Sequence, residues 1–326
     1  MTLPIARGEK YALIALDAGT ELRDALDLGG GCVALPRGAF ELPPHWKEWL
    51  GTIKSEAVER ASLKLIAKAP SVRPGVLDAE NQELQRRVSN LFWGLLAAGK
   101  LRVEGAGTLL TGSHGDDGVD VRQVGDMDGI VRVYGVLDDR VTENHLRRAA
   151  VLARGLARLF ADARMRRMRI AVNTFLRAAS VPQLGDRIHQ YVRVVDGLTR
   201  VTRRGRDRFK ERCRTFVQPG ALDACYEMYV IRSNVEHFQD PSQDLTPLER
   251  REDLLRGYRR AHEAEALARY CMSRLLENEE LWQHFADDSV DAFWAKTEAD
   301  RAAIWGEPLD LAQAVADFRA EHIPDE

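Results

Sequence analysis

The spacing of apolar positions changes near residue 140. Before that point short apolar runs surround one well-formed helical stripe. "YALIALD" (11–17) and "GCVALP" (31–36) read as strands, with "DLGGG" (27–31) as the turn before the second. "LPPHWKEWLGTIKSEAVERASLKLIAKA" predicts one or two short helices and then a strand. "DAENQELQRRVSNLFWGLLAAG" sets Leu84, Val88, Leu91, Phe92 and Leu95 on one helical face, with Asp78 as N-cap and Gly99 as stop. "GIVRVYGVL" (129–137) alternates like a strand. Residues 1–140 therefore read as an α+β (or α/β) domain.

After that point the pattern is helical. "TENHLRRAAVLARGLARLFADA" places Leu146, Ala149, Ala150, Ala153, Leu156 and Phe160 on one face. Pro182 breaks the pattern. "DRIHQYVRVVDGLTRV" resumes it with Ile188, Tyr191, Val192, Val195 and Leu198. A basic connector, "TRRGRDRFKERCRTF", leads to the helix "GALDACYEMYVIRSNVEHF". A long helix follows, opened by Thr246 as N-cap, Pro247 and the capping-box acid Glu249. Residues 141–326 read as an all-α antiparallel helix bundle with acidic helices at its end.

Charge sharpens this division. The 326 residues carry a net −3, but residues 1–140 carry −3, residues 141–238 carry +11 and residues 239–326 carry −11. A basic middle attracts polyanions, nucleic acid first among them, or pairs with the acidic tail. From Arg200 to Arg214, both included, there are eight Arg or Lys residues and two acids. Arg200, Arg203, Arg204, Arg206 and Arg208 are the candidate phosphate-binding residues, with Arg164, Arg166, Arg167 and Arg169 as a second cluster. The preponderance of arginine (39 against 8 lysines) also fits a GC-rich genome.

No apolar run is long enough to span a membrane, and no signal peptide is expected. Four scattered cysteines fit reduced thiols and a cytoplasmic setting. The loop "GSHGDDGVD" gathers His114, Asp116, Asp117 and Asp120, but its spacing matches neither an EF-hand nor a two-metal nuclease pattern, so a solvated loop is expected. "LGGGCV" is read as a tight turn, not a phosphate loop. The six tryptophans read as core or interface anchors. No metal and no cofactor is expected.

The candidate chemistry lies in "MYVIRSNVEHF" (228–238). Arg232 and His237 are about 140° apart on an ideal helix, whereas Asn234 and His237 share a face. Pro241 ends the helix soon after, and the negative end of its dipole favours an imidazolium at His237. Two readings fit these residues. In one, Arg232 merely pairs with Glu236 and His237 caps the helix. In the other, the arginine clamps a phosphate while histidine moves a proton during attack by an RNA 2′-hydroxyl. One such histidine per chain is too few for two proton transfers, so two motifs would meet in a homodimer.

"YEMYVIRSNVEHF" resembles the R-x4-6-H motif helix of HEPN domains, most closely the Apea-like HEPN family, and "RIHQYVRVVDGLTRV" resembles that family's preceding helix. The likeness runs over residues 142–280, and more loosely over "PPHWKEWLG" and "VLDAENQELQRRV". It implies a dimeric helical bundle acting as a metal-independent endoribonuclease in stress, toxin or antiphage defence. Arg232 would bind phosphate, His237 would be catalytic, and Asp196 would orient Arg232, with Ser233 and Asn234 in support. Relatives often have Asn, Asp or His where this chain has Ser233, and Gly where it has Phe238. The alternatives are a non-catalytic RNA- or nucleotide-binding HEPN module, or a dimeric scaffold whose first domain recognises a trigger or partner.

Overall fold

The structure, a computed structural model, describes residues 4–127, 129–130, 135, 140–201, 205–237 and 251–323. The chain divides into two compact units. The first comprises Met1–Ile130 and Asp139–Ala157, the second Val131–Asp138 and Arg158–Glu326.

At the centre of the first unit is β1 (Glu9–Leu16), buried along almost its whole length. It pairs antiparallel with β4 (Leu63–Pro70) on one side and β5 (Thr108–Gly115) on the other. A hairpin of β2 (Leu26–Gly29) and β3 (Cys32–Pro36) extends the sheet beyond β4. The short β6 (Gly118–Val119) and β7 (Gln123–Asp126) both pair with β5. Tyr11, Leu13 and Ala15 point to one face, into a core shared with Phe40, Val58 and Ile66. The alternate residues Ala12, Ile14 and Leu16 are equally buried on the other face. A strand buried on both faces needs cover on both.

That cover comes from two helices. Val58 of α1 (Pro44–Arg60) joins the Tyr11 core, and Gly51, at φ 75°, kinks the helix, so that of the one or two short helices expected here two pieces form. α2 (Ala79–Ala98) packs on β1 and β4. Its stripe of Leu84, Val88, Leu91, Phe92 and Leu95 is buried. Asp78 caps it, accepting from the Glu80 N–H at 3.0 Å, and Gly99 ends it. The first turns of α3 (Glu143–Ala161) lie against α2, where Gly94 abuts the Ala149 carbonyl. Through Ala157 this helix belongs to the sheet unit, so the unit boundary falls later than the change of pattern at residue 140. Phe160, placed on the apolar face by periodicity, is exposed, while Leu152 and Leu159 are buried.

Two further expectations give way. "DLGGG" is a strand plus turn, because Gly29, Gly30 and Gly31 all adopt positive φ and fold β2 back onto β3. "GSHGDDGVD" is not a loose loop but the β5–β6 hairpin: Asp116 pairs with Arg7, and Asp120 accepts the Ser113 N–H at 2.6 Å and pairs with Arg122 at 2.6 Å. Six of the nine residues of "GIVRVYGVL", and the Thr246–Pro247–Glu249 start of the long helix, lie outside the described residues.

In the second unit α4 (Arg166–Ser180) and α5 (Leu184–Thr199) flank the break at Pro182. Ile188, Tyr191, Val192, Val195 and Leu198 form the buried stripe of α5. The basic connector contains a helix, α6 (Gly205–Cys213), anchored by the buried Phe209 and Cys213. α7 (Leu222–Glu236) and α8 (Arg251–Glu277) both pack on α5. Four short helices close the unit: α9 (Trp282–Phe285), α10 (Val290–Trp294), α11 (Glu298–Trp305) and α12 (Leu311–Ala314). Their core is aromatic, with Phe216 and Trp305 centroids 4.6 Å apart and Phe285 and Phe293 4.7 Å apart. Trp282, Trp294 and Trp305 are buried, whereas Trp49 in the first unit is 62% exposed.

All four cysteines are free thiols. No helix among the described residues is long and apolar enough to cross a membrane.

Candidate active site

α5 and α7 bring together the residues singled out in the sequence. Arg232, near the C-terminal end of α7, turns its guanidinium toward α5, and Nη2 meets Asp196 Oδ2 at 3.5 Å. Nη1 meets Glu236 Oε2, one turn along its own helix, at 2.5 Å. Both expected pairings are therefore formed at once. The guanidinium also lies over the Tyr229 ring, 5.2 Å from its centroid.

Burial sets the electrostatics. Only 16% of the Arg232 side chain and 16% of the Asp196 side chain are exposed, against 41% for Glu236. Burial pushes the Asp196 carboxyl above the ordinary range, while Arg232, the Thr199 hydroxyl and the Val201 N–H pull it back in part. Burial and the neighbouring Asp196 likewise raise the Tyr229 phenol, with Arg232 opposing. The Tyr229 hydroxyl presses on Gly205, where a Cβ would stand 2.7 Å from it. A side chain at the start of α6 would therefore displace the tyrosine from the site.

His237 is the C-cap residue of α7; its N–H donates to the Ser233 carbonyl at 3.0 Å, and its side chain is exposed. Asn234 is buried and Ser233 half-buried. The site thus has a shielded, paired cation and, at the end of the same helix, a histidine open to solvent.

A second histidine, passed over in the sequence, belongs to this neighbourhood. His189 lies on α5, seven residues before Asp196 and hence on the same face. Burial first, then Arg193 and Arg232, hold its imidazole below the ordinary value, with Glu236 and Asp186 opposing. The seven-residue spacing was the available signal, hidden because His189 stands among stripe residues read only as core.

The basic residues part company. Arg206 and Arg208 are exposed on α6, and Arg206 lies 5.9 Å from the Tyr226 ring centroid. Arg200 is exposed but pairs with Asp291 at 3.0 Å, in the acidic block. Arg203 and Arg204 lie outside the described residues. Arg212 is buried: it donates to the carbonyls of Thr199 and Arg200 and stacks 4.7 Å from the Trp294 ring centroid. It satisfies the end of α5, where Arg200 takes a left-handed conformation (φ 48°). In the second cluster, Arg164 pairs with Asp162 at 2.8 Å, and Arg167 donates to the Phe285 carbonyl at 3.1 Å. Among the described residues, no group of three or more His, Cys, Asp or Glu is arranged to hold a metal ion. No protein-family model, curated protein or solved structure matches the chain.

Proposed function

We propose that the chain is a metal-independent endoribonuclease of HEPN type, working as a homodimer through Arg232 and His237. The motif resemblance supplies the reaction class. The observation that carries the reading is the arrangement at the end of α7: a guanidinium held from behind by Asp196 and, one turn on, the exposed His237. An arginine oriented by a buried acid presents its remaining N–H groups in a fixed fork. Glu236 is the more exposed of its two carboxylates and the one a phosphate would replace.

In this mechanism Arg232 binds the scissile phosphate and stabilises the charge that builds on its oxygens. His237 exchanges a proton with the reacting oxygens. The exposed Arg206 and Arg208 hold the flanking backbone without reading sequence. The test is incubation of purified chain with RNA in EDTA, with analysis of the ends. Cleavage to 2′,3′-cyclic phosphate or 3′-phosphate ends supports the reading, and intact RNA removes it.

The second reading is a non-catalytic RNA-binding module or dimeric scaffold. It draws on the neutralisation of Arg232 by two carboxylates, which suits a structural ion pair as well as a poised one. Salt-sensitive RNA binding without cleavage selects the module; a stable dimer without either selects the scaffold.

A further inference from the structure

A cavity of about 570 Å³ opens in the second unit, at the opposite end of α7 from Arg232. It lies where the first turn of α7, the first half of α8 and the segment from α12 to Phe318 meet. That volume falls in the range of small-molecule pockets. Its walls are of two kinds. Leu255, Leu311 and Phe318 supply an apolar wall, and His262 backs the Phe318 ring with 5.5 Å between centroids. Arg256, Arg259 and Arg260 supply a basic one, at the i, i+3, i+4 spacing of a single helical face.

Two carboxylates hold the three guanidiniums together. Glu227 of α7 accepts from Arg256 at 2.9 Å and from Arg260 at 2.7 Å. Glu263 accepts from Arg259 at 3.2 Å and also pairs with Arg260. Three cations thus share two anions, and the cluster keeps one positive charge in surplus. The remaining carboxylates of the lining are engaged elsewhere: Asp223 pairs with Lys210 at 2.6 Å, and Asp310 accepts the Gln313 N–H at 3.0 Å as N-cap of α12. The Glu263 side chain is only 6% exposed, so the cluster is a fixed arrangement and not a loose surface pair. Arg259, by contrast, is 56% exposed and is held only through Nε among the described residues, which leaves both its Nη groups to donate. Nη1 of Arg256 and Nη2 of Arg260 are likewise unengaged among the described residues. Convergent guanidinium N–H groups around a surplus charge match the terminal oxygens of a phosphate. The apolar wall beside them matches a flat ring carried by that phosphate.

We propose that this cavity binds a nucleoside phosphate, with the phosphate on Arg256 and Arg259 and the base against Phe318 and Leu311. Arg260, Glu227 and Glu263 hold the frame. The site is separate from the Arg232–His237 pair and does not rest on the ribonuclease reading.

The experiment is calorimetric titration of the full chain, at fixed salt, with AMP, UMP, adenosine and inorganic phosphate. At least one of the two nucleotides should bind with a Kd below about 1 mM, and more tightly than adenosine or phosphate alone. Arg256→Gln and Arg259→Gln should each weaken that binding by about 10-fold or more. Each leaves its carboxylate paired with Arg260, so both should fold, as melting temperatures will check. Phe318→Ala should weaken the nucleotide and leave phosphate unchanged, and His237→Ala should bind as the wild type does. Four results overturn the proposal: no nucleotide bound below about 1 mM, phosphate alone bound as tightly as nucleotide, wild-type affinity in a folded Arg259→Gln protein, or binding lost in His237→Ala. If neither arginine variant folds, Phe318→Ala decides, and wild-type nucleotide affinity there overturns the proposal. RNA cleavage is read in none of these titrations, so their failure leaves the ribonuclease reading standing.

Discussion

Arg232 on α7 and Asp196 on α5 face each other at 3.5 Å, in a setting where burial outweighs the arginine and raises the Asp196 carboxyl. The folded chain therefore holds this proton more tightly than the unfolded chain. Between the ordinary carboxylate value and the raised one, Asp196 contributes stability that declines as pH rises. Asp196→Asn has no such proton. The wild-type-minus-variant unfolding free energy, measured in urea, should fall with rising pH from about pH 4 upward. A difference that rises over that window contradicts the burial of the pair.

The basic segment should split by energetics as it does by geometry. Arg212→Ala strips two carbonyls of their donor and the Trp294 ring of its stacked cation, and should cost about 2–4 kcal/mol in denaturant unfolding. Arg206→Ala and Arg208→Ala, both at exposed positions, should stay within about 0.5 kcal/mol. Each should instead lower the salt slope of RNA binding by about 1.

Gly94 should reverse the usual helix preference. Alanine in place of a helical glycine normally gains about 1 kcal/mol. Here the new methyl group would overlap the Ala149 carbonyl oxygen, so Gly94→Ala should lower stability by about 1–3 kcal/mol. Thermal melting of the variant checks the close approach of α2 and α3.

Lys64 on β4 has no exposed surface, and its ammonium donates to the Ala61 carbonyl at 2.9 Å. Burial first, then Arg37, bring its pKa down to about 8. The unfolded chain therefore binds this proton more tightly, and stability should rise as pH climbs from about 8 toward the ordinary lysine value. Unfolding in urea across that range should show the rise in wild type and its absence in Lys64→Met.

Periodicity made most of the fold legible. The α2 stripe with its Asp78 cap, the α5 stripe and the β1 run are each dictated by local pattern. β5–β7 escaped because "TLLTGSHG" is rich in Gly and polar residues; its inward positions are set by close packing, as where Gly112 lies under the Asp120 carbonyl. α6 escaped because its arginines mask an anchor of only Phe209, Arg212 and Cys213. At the candidate site, the Arg232–Glu236 spacing was visible within one helix. Asp196 needed the likeness of the preceding helix, and His189 needed the packing of α5 on α7, which no local pattern encodes.

Two truncations bear on the central claim with unequal clarity. Arg232→Ala leaves Asp196 and Glu236 without their cation, so lost activity there mixes chemistry with stability. His237 is exposed at a helix end, and its removal should cost no more than about 0.5 kcal/mol. The most direct measurement is therefore the rate of RNA cleavage in EDTA by His237→Ala beside the wild type, with melting temperatures recorded for both. The expected result is a loss of about 10²-fold or more at an unchanged melting temperature. A His237→Ala protein that cleaves RNA at the wild-type rate would contradict the assignment.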